Sequence, residues 1–142
     1  MSDYYKPLYS IGKVAKILNV SVQTLRLYEN NGFIIPYKTS SKRRIYSELE
    51  IDKIRCIIKM IREEGMNFKG LKKLYSLIPC WYIRECSKEE REKCNSFISR
   101  SLPCWATREK CPNPLPDCRE CPVYRKFASR SDLKDSLNDL MK

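Results

Sequence analysis

The sequence predicts a mainly α-helical protein, in which a helical domain with one β-hairpin precedes an irregular, cysteine-rich module. Three observations predict this fold class. Apolar residues recur at helical spacing as far as position 78, and one short basic stretch interrupts them. Beyond that position prolines become frequent, and seven of the eight cysteines follow. We therefore predict a helical domain at 1–79, a cysteine-rich metal-binding module at 80–128, and a short amphipathic helix or frayed tail at 129–142.

Two short helices joined by a tight turn are expected first. Residues 11–18 place apolar side chains on one helical face, and Asn19 tolerates the left-handed backbone that a tight turn requires. Ser21 is a good N-cap for a second helix over residues 22–31, which Gly32 is placed to end. Two helices joined in this way predict a helix-turn-helix.

A hairpin and a second helix pair complete the domain. Residues Phe33–Tyr46 contain two short strands around a polar turn, and the cations of that turn predict a basic wing. Ser47 and Glu50 have capping-box spacing at the start of a third helix that runs to about residue 64. Asn67 can cap a fourth helix, which Pro79 ends. The expected inward-facing residues of the third helix are Ile51, Ile54, Ile58 and Ile61.

The chain is basic, and its charge is uneven. Lysine and arginine number 28 against 17 aspartate and glutamate, a formal net charge of +11. Residues 1–79 hold 15 basic and 7 acidic side chains, whereas residues 80–142 hold 13 and 10. Positive charge favours an anionic partner, so the N-terminal half is the candidate nucleic-acid surface. Charge alone is equally compatible with a soluble basic protein that binds no nucleic acid.

Cellular location and enzyme class are constrained by what the sequence lacks. Met1–Lys6 is polar, unlike a secretory signal, and no apolar run approaches the roughly 20 residues of a membrane span. We expect a cytoplasmic protein without a membrane partner, where close cysteines favour metal or redox chemistry over disulfides. The chain has no histidine and no glycine-rich nucleotide-binding loop. This excludes histidine acid–base catalysis, and we predict that the protein is not an enzyme.

The second helix and the hairpin carry the candidate DNA-contacting residues. Side chains at the N-terminal end of a recognition helix meet base edges, and a glutamine there can pair bidentately with adenine. Cations further along the helix and in the wing suit phosphate contact. The predicted contacts are Val22, Gln23, Thr24, Arg26, Tyr28, Lys42, Arg43 and Arg44, with Lys38 adding charge to the wing. Each residue alone is better explained as a solvated charge or a packing residue; together they predict binding to double-stranded DNA.

Tyr9–Leu74 closely resembles the MerR family of transcriptional regulators. The matching stretches are YSIGKVAKILNVSVQTLRLYENNGF, RRIYSELEIDKIRCI and EEGMNFKGLKKL, which cover about the first half of the chain in the family's order. Within the family, TLRLYE together with EGMNFKGLKKL is most similar to the heat-shock repressor (HspR-like) branch.

The resemblance implies a homodimer on a palindromic operator, with the second helix in the major groove and readout of DNA shape. It implies DNA contacts by Gln23, Thr24, Arg26, Tyr28 and Arg44. The sequence departs from the family at Leu27, where an aromatic residue is usual, and at Arg43, where a tyrosine is common. Pro79 also shortens the helix through which members usually dimerise, so the resemblance leaves the dimer contact undefined.

The cysteine-rich module contains a degenerate repeat of 24 residues, in which PCW at 79–81 recurs at 103–105. Four thiolates complete a tetrahedral zinc site or hold an iron–sulfur cluster. The predicted four-cysteine set is Cys104, Cys111, Cys118 and Cys121. A weaker three-cysteine set is Cys80, Cys86 and Cys94. The last two residues of the first set form a CxxC pair, a spacing that lets both thiolates reach one metal.

Spacing alone does not separate iron–sulfur from zinc. We favour an iron–sulfur cluster because cluster loops are often proline-rich and irregular, and because a redox-active centre would supply a regulator with an input. The main hypothesis is a dimeric regulator whose tail senses redox state or metal. One alternative is a heat-shock-type repressor with a structural zinc site and a protein co-regulator, such as a chaperone. RNA polymerase and a chaperone are also the candidate protein partners of the regulator. Another, from a different class, is a redox or electron-transfer protein.

Overall fold

The computed structural model describes residues 3–78, 83, 85–92, 118–126, 134–135 and 138–139. In chain order, the elements are a 3-10 helix (Asp3–Tyr5), β1 (Tyr9–Ser10), α1 (Ile11–Leu18), α2 (Val22–Asn30), β2 (Tyr37–Lys38), β3 (Arg44–Tyr46), α3 (Glu48–Arg62), α4 (Phe68–Ser76), α5 (Lys88–Glu92), a second 3-10 helix (Cys118–Glu120) and α6 (Pro122–Lys126). The predicted fold class, mainly α with a winged helix-turn-helix, is confirmed. None of the helices in these residue ranges is both long enough and apolar enough to cross a membrane.

A tight turn separates α1 from α2, as the sequence predicted. Asn19 adopts a left-handed backbone with φ of 55°. The backbone N–H of Val20 donates to the carbonyl of Ala15 at 3.0 Å, which closes α1. The Ser21 hydroxyl then accepts a hydrogen bond from the Thr24 N–H at 3.0 Å and caps α2. The start of the second helix is therefore fixed by local contacts.

The end of α2 is a Schellman motif centred on Gly32. Gly32 has a φ of 80°, a conformation that side chains with a Cβ rarely adopt. Its N–H donates to the Glu29 carbonyl at 2.9 Å, and the Phe33 N–H donates to the Tyr28 carbonyl at 3.1 Å. The Tyr28 and Phe33 rings pack with centroids 6.4 Å apart. The chain that leads from α2 to the wing thus leaves the helix at a defined point.

The sheet has three antiparallel strands, with β3 in the centre between β1 and β2. Tyr9 pairs with Tyr46, and Lys38 pairs with Arg44 across the hairpin. The β2–β3 hairpin is the predicted wing. Strand β1 was not predicted, because two residues are too few to show an alternating pattern.

The buried face of α3 differs from the expected one. Its buried residues are Leu49, Glu50, Ile51, Lys53, Ile54, Ile57 and Met60. Ile58 and Ile61, which were expected there, are only half-buried and pack against the core. Ile51 and Ile54 are buried as predicted, and the expected stripe was incomplete because it followed apolar residues only. Two members of the actual stripe, Glu50 and Lys53, are charged.

Part of the C-terminal half packs on the winged domain. Val123 and Tyr124 of α6 are buried in the same core cluster as residues of α1–α4, and Cys121 packs against that cluster. These contacts cover the charged part of the α3 stripe. The expected amphipathic pattern of the chain end, at Leu133, Leu137, Leu140 and Met141, lies outside the described residues.

Candidate nucleic-acid interface

One face of α2 is open to solvent. Gln23 and Arg26 are exposed, and Val22 and Thr24 are half-buried. Leu25 is fully buried and anchors the opposite face of the helix in the core. The three residues predicted to contact bases, Val22, Gln23 and Thr24, therefore lie together on the first turn of α2, whose opposite face is packed in the core.

The hydroxyl of Thr24 is engaged with the helix cap. Its Oγ1 lies 2.9 Å from Oγ of Ser21, and either hydroxyl can be the donor. The Ser21 hydroxyl also accepts from the Thr24 backbone N–H. What Thr24 presents to a partner therefore depends on Ser21, which the sequence indicated only as a cap.

Tyr28, which was predicted to contact phosphate, lies in the core and is only 5% exposed. Its ring packs edge-to-face on Phe68, with centroids 5.9 Å apart. Burial raises the pKa of Tyr28, although the positive charge of Arg62 acts in the opposite direction. Burial does not favour the predicted phosphate contact. It supports a packing role, in which Tyr28 holds α2 against α4.

The wing ends in a turn braced by Thr39. The Thr39 N–H donates to the Arg43 carbonyl at 2.9 Å, and the Lys42 N–H donates to the Thr39 carbonyl at 2.8 Å. The Thr39 hydroxyl accepts from the Arg43 N–H at 3.1 Å. Lys42 has a left-handed backbone with φ of 64°. This braced turn presents two adjacent exposed cations, Lys42 and Arg43.

Glu29 joins the wing to α2. The Nε of Arg44 donates to one of its carboxylate oxygens, and the other oxygen lies 3.6 Å from the Nζ of Lys38. The hydrogen bond to Glu29 raises the pKa of Arg44, whose side chain is half-buried. Arg44 was predicted as a DNA contact, and the structure places it between the wing and the helix.

The surface formed by α1, α2 and the wing is cationic. Between Tyr9 and Ser47 the chain has seven basic residues and one acidic residue, Glu29, which is half-buried and ion-paired. The exposed cations are Lys13, Lys16, Arg26, Lys38, Lys42 and Arg43. Exposed cations in this number, with one ion-paired acid among them, attract a polyanion.

Two features of this surface were missed from the sequence. Glu29 was not among the predicted site residues, although its position as the one acid among seven cations was a signal that it had a partner. Tyr124 of the tail was not among the predicted site residues, although it follows the CxxC pair by three residues. Its hydroxyl accepts a hydrogen bond from the N–H of Ile35, just before the wing.

The structure describes only some of the predicted metal ligands. Cys86 and Cys121 are half-buried, and Cys118 begins the second 3-10 helix. That helix leads directly to Cys121, so the CxxC pair brackets a single turn of backbone. Cys80, Cys94, Cys104 and Cys111 lie outside the described residues. Within the described ranges, no cluster of three acidic or cysteine side chains has the arrangement of a metal site.

Comparison with known proteins gives a consistent family. The family model described as "MerR HTH family regulatory protein" matches residues 9–77. The putative heat shock protein HspR of Streptomyces coelicolor is 32% identical over 71 residues, which cover 50% of this chain and 47% of that protein. The HTH-type transcriptional regulator GlnR of Bacillus anthracis is 32% identical over 68 residues, which cover 48% and 52%.

A longer alignment extends the relationship. The HTH-type transcriptional regulator ZntR homolog of Haemophilus influenzae is 31% identical over 99 residues, covering 69% of this chain and 68% of that protein. The match to HspR and to GlnR, in contrast, spans about half the length of each relative.

Proposed function

This chain belongs to the MerR family of helix-turn-helix regulatory proteins, and from that premise we propose that it is a DNA-binding transcription regulator. The observation that carries the proposal is that ion pairs hold the wing against α2, and that both elements carry exposed cations. Glu29 of α2 forms ion pairs with both wing strands, through Lys38 and Arg44. Every other charged residue between Tyr9 and Ser47 is an exposed cation.

In the proposed complex, the first turn of α2 enters the major groove. Gln23 is exposed and can donate to and accept from one adenine edge, beside Val22 and Thr24. Arg26 suits a flanking phosphate. The wing cations Lys42 and Arg43 are placed to contact the backbone and fix the register, with Arg44 holding the wing on α2. Tyr28 supports the helix from within.

We propose that two copies bind one operator. A single recognition helix spans only a few base pairs, so two-fold symmetric half-sites supply the affinity and specificity that a regulator needs. Contact with RNA polymerase or a chaperone stays a prediction.

Selection from a pool of random duplexes, followed by salt titration on the selected sequence, tests DNA binding. The double variant Lys42→Ala/Arg43→Ala should lower the slope of log affinity against log salt by about two, since each lost phosphate contact removes about 0.9. Alanine is chosen at Lys42 because glycine would also relieve its left-handed backbone. The control Lys59→Ala/Lys69→Ala removes equal charge from exposed positions of α3 and α4. No enriched sequence, or equal slopes for both variants, would contradict the proposal.

We further propose that the cysteine-rich tail binds an iron–sulfur cluster through Cys104, Cys111, Cys118 and Cys121, with Cys80, Cys86 and Cys94 as a second set. The thiolate donors and the single turn that separates the CxxC pair support this. When bound, the cluster would supply a redox-active centre. Anaerobic purification with an absorbance spectrum and metal analysis tests it. Iron with inorganic sulfide supports the cluster, and a colourless protein with bound zinc contradicts it.

A second candidate has one observation in its favour. Val123 and Tyr124 fill part of the domain core. A metal bound by the neighbouring cysteines would therefore stabilise the packing of α6 on that core. In this alternative, zinc is structural and regulation comes from a protein partner. Removing the metal would then lower the melting temperature, while mild oxidants would leave operator affinity unchanged.

A further inference from the structure

The segment that follows the CxxC pair is joined to the DNA-binding domain by the hydroxyl of Tyr124. That hydroxyl donates to a carboxylate oxygen of Glu50 at 3.0 Å and accepts from the backbone N–H of Ile35 at 2.9 Å. Glu50 uses its other oxygen to accept from the Ser47 N–H at 2.9 Å, at the start of α3. A single side chain of the tail therefore bridges the approach to the wing and the N-terminus of α3.

The ring of Tyr124 also contacts α3, through a cation–π interaction with Lys53. The Nζ of Lys53, a residue only 2% exposed, lies 4.3 Å from the ring centroid. Burial raises the pKa of Tyr124 well above its ordinary value, so the hydroxyl keeps the proton that it donates to Glu50. The tyrosine thus sits between a buried anion and a buried cation on one face of α3.

Two arginines extend the contact on either side. The guanidinium of Arg119 lies 4.6 Å from the ring centroid of Tyr37 in β2, and that of Arg125 lies 3.9 Å from the ring of Tyr5. The Nε of Arg125 also donates to the Arg119 carbonyl at 3.0 Å. The segment Arg119–Arg125 therefore touches the first wing strand as well as the loop before it.

We propose that Tyr124 is a positioning residue of the wing, and that it makes the wing's position depend on the CxxC pair. The wing begins two residues after Ile35, whose N–H is bonded to Tyr124. The side chain of Cys121 packs against the core cluster, and its carbonyl accepts from the Arg125 N–H at 3.0 Å. The helix that carries Tyr124 therefore begins directly after the second cysteine, whose side chain contacts the core. The inference rests on the proposed function only in taking the wing as a DNA-contacting element.

Amide hydrogen exchange on the full chain, followed residue by residue, tests the proposal without DNA. Tyr124→Phe keeps the ring and removes the two hydroxyl contacts. The Ile35 amide should exchange about tenfold faster, as expected for the loss of a part-buried hydrogen bond. The Thr39 amide, bonded within the wing turn, should exchange severalfold faster. The Val20 amide, bonded between α1 and α2, should keep its rate, which separates wing loosening from general destabilisation.

Tyr4→Phe is the matched control, because the Tyr4 hydroxyl donates to Asp52 of the same helix at 2.8 Å. It should leave the Ile35 and Thr39 rates unchanged. Cys121→Ser should also raise the exchange rates of the Ile35 and Thr39 amides, as Tyr124→Phe does. Wild-type rates at Ile35 or Thr39 in Tyr124→Phe, or equal acceleration in Tyr4→Phe, would overturn the positioning role. Wild-type rates in Cys121→Ser would overturn the dependence on the CxxC pair.

DNA binding gives an independent readout. On the duplex selected by the wild-type protein, Tyr124→Phe should lower affinity about threefold to tenfold and reduce the salt slope by about one, because the wing cations lose register. Unchanged affinity and slope would overturn the positioning role. Failure of the wild-type protein to bind any duplex would overturn the proposed function instead, while the exchange rates would still decide the role of Tyr124.

Discussion

Arg44, in the last strand of the wing, donates a hydrogen bond to the carboxylate of Glu29 in α2. Lys38 lies opposite Arg44 in the hairpin and approaches the same carboxylate at 3.6 Å. Like charges directly opposite each other destabilise a strand pair. Glu29 compensates both cations, and in doing so it fixes the wing relative to the helix proposed to read DNA.

Replacing Glu29 with alanine should therefore reduce specificity more than affinity. The variant leaves Lys38 and Arg44 facing each other, so the wing loses its alignment with α2, while the surface becomes more positive. We expect the ratio of specific to non-specific affinity to fall about tenfold, with non-specific binding unchanged or stronger. Competition of the selected duplex against random-sequence duplex measures this ratio.

Glu63→Ala is the control for the charge change, because it removes one exposed carboxylate at the C-cap of α3. It should leave the specificity ratio within about twofold of wild type. A comparable fall in the ratio for both variants would mean that net charge, and not the contact with Arg44, explains the result.

Much of the helix-turn-helix could be predicted because its signals are local. The caps at Ser21 and Asn67 and the glycine after α2 depend on residues within about one turn. Exposure of Gln23, Arg26, Lys42 and Arg43 agrees with the predicted surface. A residue's type does not give its direction, however, and so the sequence left Tyr28 open between a packing residue and a phosphate contact.

The contact between Tyr124 and Glu50 shows why the rest could not be predicted. Glu50 was predicted correctly as a capping residue, which requires only a neighbour three positions away. Its second carboxylate oxygen bonds a tyrosine 74 residues later in the chain. No helical or strand period links positions so far apart. The buried charges of α3 become intelligible only when α6 lies against them.

Removing the cap of α2 should affect both stability and base discrimination. Ser21→Ala removes the hydrogen bond to the Thr24 N–H and the partner of the Thr24 hydroxyl. We expect a loss of about 1 kcal/mol in the free energy of unfolding. The first turn of α2 should also fray, so that operators with a single changed base are discriminated less well. Thermal denaturation and titration of such operators measure the two effects.

Ser10→Ala provides the comparison, because Ser10 caps α1 by accepting from the Lys13 N–H at 3.2 Å. Its loss should cost a similar free energy, about 1 kcal/mol, without altering base preference. If Ser10→Ala changes base preference as much as Ser21→Ala does, the first turn of α2 is not where bases are read.

The buried hydroxyl of Tyr46 should make the stability of the protein depend on pH in the alkaline range. Tyr46 is fully buried, and its hydroxyl has no hydrogen-bond partner among the described residues. Burial, with the negative charge of Glu29, raises its pKa from 10.0 to about 12. The folded state therefore favours the neutral phenol. Its contribution to stability is fully present below pH 10 and is lost as the pH rises from 10 towards about 12.

Tyr46→Phe should remove both the unpaired hydroxyl and this pH dependence. At neutral pH we expect the free energy of unfolding to rise by about 1 kcal/mol, because no partner loses a hydrogen bond and a buried polar group is removed. Above pH 10 the variant should lose less stability than the wild type, since one raised pKa is gone. Denaturant unfolding at several pH values measures both effects. Tyr37→Phe, at an exposed tyrosine of β2, controls for the loss of a hydroxyl. A destabilised Tyr46→Phe protein with the wild-type alkaline profile would show instead that the hydroxyl has a stabilising partner.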